Sequence, residues 1–128
     1  MNKIGLLFGI GLCGFSIILG AFGAHALKDK LSDYSMSIFD KAVLYQFFHA
    51  FGIILAIILE FLIMDLALSF SIWCFIVGIF LFSGSLYILA ITDIKWLGVI
   101  TPIGGVMFIL GWVIMFVNVF KNYNNELG

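Results

Sequence analysis

The sequence contains little charge. Only 10% of its 128 residues are Asp, Glu, Lys or Arg, and none of them is Arg, whereas soluble domains carry about 25% charged residues. Six lysines and seven acidic residues leave a formal net charge of −1. Nucleic-acid binding requires a concentrated basic surface, which this composition does not provide. The scarcity of charge therefore argues against a soluble domain and against a nucleic-acid partner.

Cysteine is also scarce, and the common short catalytic motifs are absent. Cys13 and Cys74 are the only cysteines, and they lie in separate apolar stretches without the spacing of a metal or redox motif. We expect both to be small buried residues. The chain has no His-Glu-x-x-His, Gly-x-Ser-x-Gly, phosphate-loop or Cys-x-x-Cys pattern. The sequence thus predicts no enzyme, no cofactor and no metal site.

Long apolar runs dominate what remains. Hydrophobic residues make up 64% of the chain and concentrate in four blocks, at 4–24, 42–63, 70–91 and 97–120. Each block has about the 20 residues that a helix needs to cross the hydrocarbon core. Backbone polar groups in lipid must be satisfied within the segment, which favours helices. We predict an all-α antiparallel bundle of four transmembrane helices in one domain, 1–128, with helices at 4–26, 38–63, 70–91 and 97–120.

Small residues recur along the first and fourth helices. Gly5 and Gly9 form a GxxxG pattern, and small residues let helix backbones approach closely in lipid. The pattern predicts packing against other helices of the same chain, and a face for self-association is the alternative. The helix-packing candidates are Gly5, Gly9, Gly20, Gly23, Gly104 and Gly105.

The segment 27–41 between the first two blocks is polar and amphipathic. Apolar residues recur there at three- and four-residue steps, which is typical of a segment at the membrane interface. Ser37 and Asp40 have the spacing of a capping box and predict that the second helix begins near Ile38. Thr101 and Pro102 suit the start of the fourth helix, since Thr caps well and Pro is favoured at the first helical position.

Lysines are distributed unevenly between the two sides of the predicted bundle. Loops one and three share one side and contain Lys28, Lys30, Lys41 and Lys95, whereas the other side has Lys3 and Lys121. Cytoplasmic loops carry an excess of Lys and Arg. This asymmetry favours an orientation with loops one and three in the cytoplasm.

Polar residues of the predicted helices gather toward that same side. We expect them to form a cluster at one end of the bundle, since the hairpin topology brings the corresponding helix ends together. The candidate residues are His25, Tyr45, Gln46, His49, Ser83, Ser85, Tyr87 and Thr101.

His49 is the most informative member of this cluster. It lies about 10 Å into the hydrocarbon if the membrane begins near Ala42, at about 1.5 Å per residue. Ionisable residues inside a membrane are costly and suggest function. The alternatives are a neutral imidazole that stabilises packing, a proton- or ligand-binding group, and a metal or haem ligand. A protein zinc site needs three or four ligands, which the sequence does not bring together here. His25 fits a helix-end residue that bonds free carbonyl groups.

Four ordered motifs resemble a known family: GAFGAHAL at 20–27, YQFFHA at 45–50, FSGSLY at 82–87 and GVITPIGG at 98–105. The chain resembles the small bacterial membrane proteins grouped as domain of unknown function 423, which are similar to animal transmembrane protein 256. The resemblance implies a four-helix plasma-membrane protein without an established reaction. It provides no catalytic residues.

Two kinds of function remain from the sequence. A non-enzymatic structural or accessory protein would act through its helices on the lipid bilayer, on a second copy or on another membrane protein. A carrier or channel for a proton, an ion or a small solute would use the polar cluster around His49. The second function would require an oligomer, because four helices leave little interior space.

Overall fold

The computed structural model describes residues 3–127, and the side chains of residues 3–124. This part of the chain contains helices and no strands. Four helical segments are long and apolar enough to cross a membrane: Lys3–Leu27, Asp33–Leu62, Ser69–Thr92 and Lys95–Asn124. We refer to them as the first to fourth spans. The predicted all-α, four-helix architecture is confirmed, although residues 1, 2 and 128 of the predicted domain lie outside the described part.

Three of the four spans change helix type along their length. The first consists of α1 (Lys3–Phe22) and a π-helical turn (Gly23–Leu27), and the second is the single helix α2 (Asp33–Leu62). The third contains α3 (Ser69–Gly78), a π-helical segment (Ile79–Gly84) and α4 (Ser85–Thr92). A 3₁₀ turn (Lys95–Val99) precedes α5 (Ile100–Leu127) in the fourth span. α5 begins at Ile100, so Thr101 lies inside its first turn and not at the predicted N-cap, and its Oγ1 lies near the Leu97 carbonyl oxygen.

The second helix begins earlier than the capping box predicts. Ser32 is its N-cap, and its Oγ accepts a hydrogen bond from the Ser35 N–H at 3.1 Å. The Ser37 hydroxyl instead donates to the Tyr34 carbonyl at 2.8 Å. The predicted cap at Ser37 is therefore wrong. Part of the polar segment 27–41 forms a turn, and the rest forms the first turns of α2. Polar residues fit an exposed helix start, because side chains or water can satisfy its free N–H groups.

The spans pack mainly on their neighbours in the chain. α1 packs on α2, α2 packs on α3, α4 and the π-helical segment between them, and the third span packs on α5. Only 11% of the most apolar stretch of the first span is buried, compared with 50% for the third. The first span is therefore attached along one side and faces lipid on the other.

Glycines permit the closest helix contacts. A Cβ at Gly9 would lie 2.9 Å from Ile54 and 3.3 Å from the Ala50 carbonyl oxygen, and a Cβ at Gly104 would overlap the backbone of Phe82. Gly20 and Gly23 also face α2, and Gly105 lies at ordinary contact distance from the Phe82 ring. Gly5 borders a groove described below. Gly9, Gly20, Gly23 and Gly104 thus serve contacts within the chain, where small residues let backbones approach.

Candidate functional site

Gln46 joins three helices at the polar end of the bundle. Its side chain is only 3% exposed. Nε2 donates to the Leu12 carbonyl of α1 at 3.0 Å, and Oε1 accepts from the Tyr87 hydroxyl of α4 at 2.9 Å. A buried amide is costly unless its donors and acceptors are used. The two bonds make Gln46 a link between the first, second and third spans.

A second link connects the third and fourth spans. Ser85 Oγ and Thr101 Oγ1 lie 2.8 Å apart and share a hydrogen bond. Ser85 donates its proton to the Phe82 carbonyl at 2.9 Å, so Thr101 donates to Ser85; the Leu97 carbonyl, 3.4 Å from Thr101 Oγ1, is an alternative acceptor for that one Thr101 proton. With the Gln46 bonds, side-chain hydrogen bonds connect all four spans. We call Gln46, Tyr87, Ser85 and Thr101 the polar network.

His49 lies one turn deeper along α2, near the middle of the helix. Its ring is 6% exposed, and Nδ1 lies 2.7 Å from the Tyr45 carbonyl oxygen. A carbonyl only accepts hydrogen bonds, so Nδ1 carries the proton in the neutral ring. Nε2 then presents a lone pair that has no hydrogen-bond partner among the described residues. The imidazole is therefore oriented by the backbone, with one ring nitrogen available as an acceptor.

Aromatic rings surround this histidine. The Phe108 ring of α5 stacks on it at a centroid distance of 3.4 Å and an interplanar angle of 9°. The rings of Tyr45, Phe75 and Trp112 lie 5.6–6.1 Å away. Aromatic faces attract a cation and pack well against a neutral ring. His49 thus occupies an apolar, π-rich setting separate from the hydrogen bonds of the polar network.

Ser83 is buried beside the polar network without joining it. It is fully buried in the π-helical segment, and its hydroxyl has no hydrogen-bond partner among the described residues. Ser71 in α3 has the same status. An unpaired buried hydroxyl loses its water contacts without replacement. These two hydroxyls are the places where the described interior is least well satisfied.

The two remaining residues of the predicted cluster, Tyr45 and His25, take no part in the polar network. The Tyr45 side chain is 40% exposed and packs on Phe82 at a centroid distance of 4.6 Å. His25 is exposed in the π-helical turn of the first span and takes no part in the network. Within residues 3–124, no three His, Cys, Asp or Glu side chains lie together as a metal site would require.

Comparison with known proteins places the chain in a family. A family model described as a protein of unknown function, DUF423, matches residues 19–105. Relatives include the UPF0382 membrane protein of Staphylococcus haemolyticus, which is 43% identical over 119 residues that cover 93% of this chain and 97% of the relative. The UPF0382 membrane protein YwdK of Bacillus subtilis is 38% identical over 120 residues, covering 93% of this chain and 98% of the relative. The chain belongs to the DUF423 family.

The family assignment confirms the resemblance that the four sequence motifs predict. The chain is a multi-pass membrane protein of a family without an assigned activity. The matched region of DUF423 includes every side chain of the polar network. No solved structure matches the chain.

Sequence reasoning missed several polar contacts at the opposite end of this DUF423 protein. Asn118 donates to the Ala67 carbonyl at 3.0 Å, and Asn122 donates to the Met64 carbonyl at 2.9 Å. Glu60 Oε1 accepts from the Leu68 N–H at 2.5 Å. Asn118 and Asn122 are four residues apart and therefore lie on one face of α5, and this spacing was the available sequence signal for their contacts. Nothing in the sequence indicated that loop carbonyl groups were their partners.

Proposed function

We propose that this DUF423 protein is a non-enzymatic structural or accessory protein that acts through its membrane-facing helix surfaces. The observation that supports this proposal is that the polar network uses its hydrogen-bonding groups to connect helices of the same chain. Gln46 engages both ends of its amide, and Ser85 pairs with Thr101, so these groups connect helices. The groove bordered by Gly5 and two further cavities, one beside Tyr123 and one beside Lys121, are lined by no network residue. Because these polar groups are engaged between helices, the surfaces that remain for interaction are the outer faces of the helices.

The outer face of α1 is the surface that we propose for interaction with a second copy or with another membrane protein. α1 packs on α2 alone among the long helices, and Phe15 and Ile18 are 52% and 63% exposed. A Cβ at Gly11 or Gly14 would meet no atom within 4 Å. A partner helix can therefore approach the backbone here.

Site-specific photo-cross-linking in native membranes tests this proposal. A photoreactive residue in place of Phe15 should give discrete cross-linked protein species, which mass spectrometry of the excised bands would assign. The matched control replaces Phe116, which is 71% exposed on α5 and should give mainly lipid adducts. Lipid adducts alone at both positions would contradict an accessory function through α1.

The second candidate function is a proton or small-solute carrier, and a specific feature of His49 favours it. Its Nδ1–H is held by the Tyr45 carbonyl, which leaves the Nε2 lone pair as an acceptor inside a span. Intramembrane ionisable groups commonly belong to proton or substrate pathways. Such a pathway would pass between copies of the chain, because each bundle is closed by its network.

Proteoliposomes that contain a pH-sensitive dye test this candidate. A carrier through His49 should show pH-dependent proton uptake in the wild type and in the exposed-residue control His25→Ala. His49→Phe should abolish the uptake, since Phe retains the stack on Phe108 but removes the lone pair. No uptake by the wild-type protein at any pH would contradict the carrier function.

We further propose that the protein lies in the plasma membrane with loops one and three in the cytoplasm, as the lysine distribution favours. In a background without Cys13 and Cys74, a cysteine at Asp29 should react with a membrane-impermeant maleimide only after permeabilisation. A cysteine at Tyr123, which is 59% exposed, should react in intact cells. The reverse labelling pattern would contradict this orientation.

A further inference from the structure

A groove opens between α1 and α3 at the end of the molecule opposite the polar network. Both helices pack on α2, whereas they do not pack closely on each other, so a space of about 410 Å³ remains between them. Its walls are apolar: Ile4 and Phe8 contribute from α1, and Ile72, Trp73 and Ile76 contribute from α3. The volume falls within the range of sites that hold small organic ligands.

The groove has the dimensions to take an extended apolar chain from the lipid. Its wall on α3 runs from Ser69, the first residue of the helix, to Ile76, a rise of about 10 Å along the axis at about 1.5 Å per residue. It therefore reaches from the membrane surface into the hydrocarbon region. Trp73 in this wall is 63% exposed, so the groove opens on the outer surface of the bundle and not into its interior.

Glu60 contributes the only carboxylate among the described residues that line the groove. Its Oε1 accepts from the Leu68 N–H at 2.5 Å and from the Ser69 hydroxyl at 3.5 Å. Both partners are electrically neutral, and both bind Oε1, so Oε2 has no hydrogen-bond partner among the described residues. The carboxylate is thus held in place at the surface end of an apolar groove, and no cationic side chain of residues 3–124 pairs with it.

We propose that this groove binds one acyl chain of a phospholipid whose headgroup carries a primary ammonium group, with the ammonium at Glu60 Oε2. The apolar walls match the acyl chain, and the carboxylate matches the ammonium in charge and in hydrogen-bond donors. An anionic headgroup would instead face the Glu60 charge. Charge complementarity therefore selects the ammonium lipid from among those that supply the same acyl chain.

The lipid site is independent of the proposed function. No residue of the polar network lines the groove, and the outer-face position Phe15 lies outside it. Cross-linking through α1 and lipid selection at Glu60 are separate measurements, so either proposal can fail while the other stands.

Native mass spectrometry of the full chain tests the proposal. Protein is reconstituted with equal amounts of phosphatidylethanolamine and phosphatidylglycerol that have identical acyl chains, and the retained lipids are counted. We expect the wild type to retain phosphatidylethanolamine over phosphatidylglycerol by about threefold to fivefold, the ratio that one ion pair near a surface provides. Glu60→Gln should reduce this ratio to about one, because it removes the charge that distinguishes the two headgroups.

The variants are designed to keep the fold. Gln retains an oxygen that accepts from Leu68 and Ser69, so Glu60→Gln removes charge without removing the helix connection. Asp65→Asn is the matched control, since Asp65 is an exposed acid near the same end that does not line the groove, and it should keep the wild-type ratio. Circular dichroism should show equal helix content in all variants.

A third variant tests the acyl part of the site. Ile76→Trp fills the groove while it leaves Glu60 unchanged, and it should lower the number of retained lipids per protein. Equal retention of both lipids by the wild type would overturn the proposal. A preference that survives in Glu60→Gln, or an unchanged lipid number in Ile76→Trp, would overturn it as well.

Discussion

Gln46 shows how one residue type in an apolar helix can organise several others. From sequence it is a polar residue three positions before His49, and the helical period predicts that the two are neighbours. Its actual partners are a backbone carbonyl of α1 and the Tyr87 hydroxyl. The carbonyl could not be predicted, because every residue of an apolar helix presents the same group and only packing selects Leu12.

His49 was the residue that sequence reasoning singled out, and the structure adds its tautomer and its surroundings. The Tyr45 carbonyl fixes the proton on Nδ1, and Phe108 stacks on the ring. The helical period places Tyr45 one turn away, so that neighbour was predictable. Phe108 was not, because it belongs to a helix that is distant in the chain and is one of 15 phenylalanines.

Two neighbouring serines should respond in opposite directions to the same substitution. Ser83→Ala removes a buried hydroxyl without a partner and should raise the free energy of unfolding by up to about 1 kcal/mol. Ser85→Ala breaks the bond to Thr101 and should lower it by about 0.5–1.5 kcal/mol. Unfolding by SDS titration in mixed micelles measures both. Equal effects of the two substitutions would contradict the assigned partners.

At the scale of helices, the closest contact lies where the fourth span crosses the π-helical segment of the third. A Cβ at Gly104 would overlap the backbone of Phe82, whereas one at Gly105 would lie at an ordinary 3.7 Å from the Phe82 ring. Gly104→Ala should therefore destabilise the bundle by about 1–3 kcal/mol, the usual cost of overpacking.

The adjacent glycine provides the control for this contact. Gly105→Ala should change the free energy of unfolding by less than about 0.5 kcal/mol, as surface-like substitutions do. The same mixed-micelle titration compares the two variants. A larger loss for Gly105→Ala than for Gly104→Ala would show that the spans cross in a different register.

The turn after α4 tests a helix end. Asp93 caps α4 in a left-handed conformation with φ of 54°, and its N–H bonds the Leu89 carbonyl at 2.9 Å. Asp tolerates this region, Gly adopts it without strain, and β-branched residues do not. Asp93→Val should cost about 1 kcal/mol or more of stability and should therefore lower the thermal midpoint in detergent. Asp93→Gly should not lower the midpoint. Equal midpoints for the two variants would contradict the left-handed cap.

Helix existence was predictable from the sequence, and helix ends were less so. The apolar blocks located all four spans because hydrocarbon thickness fixes the number of residues that must be apolar. The start of α2 was placed five residues too late, at Ile38 instead of Asp33. Hydropathy does not define a helix end outside the hydrocarbon, where a cap such as Ser32 determines it.

At the scale of the whole molecule, the arrangement is sequential. Each span packs mainly on its neighbours in the chain, and the first is attached along only one side. This order explains two surfaces that the sequence alone could not reveal. The outer face of α1 is left uncovered by the other described helices, and the gap between α1 and α3 forms the groove that ends at Glu60. Both depend on which helices fail to touch, which apolar periodicity does not encode.

The two ends of the molecule use polar residues in different ways. At one end, side chains bond across helices, as Gln46 does with Tyr87. At the other end, Asn118 and Asn122 bond the carbonyl groups of the loop between α2 and α3. The sequence placed most polar residues at the first end. It therefore located the polar network but not the loop contacts, whose acceptors are backbone atoms.

The polar network holds the spans together, and its core is the bond between Gln46 and Tyr87. A double-mutant cycle with Gln46→Leu, Tyr87→Phe and the double variant, measured by SDS-titration unfolding, tests it most directly. Gln46→Leu should cost about 1–3 kcal/mol, and the coupling between the two sites should be about 0.5–1.5 kcal/mol. Additive single effects, with no coupling, would contradict the claim.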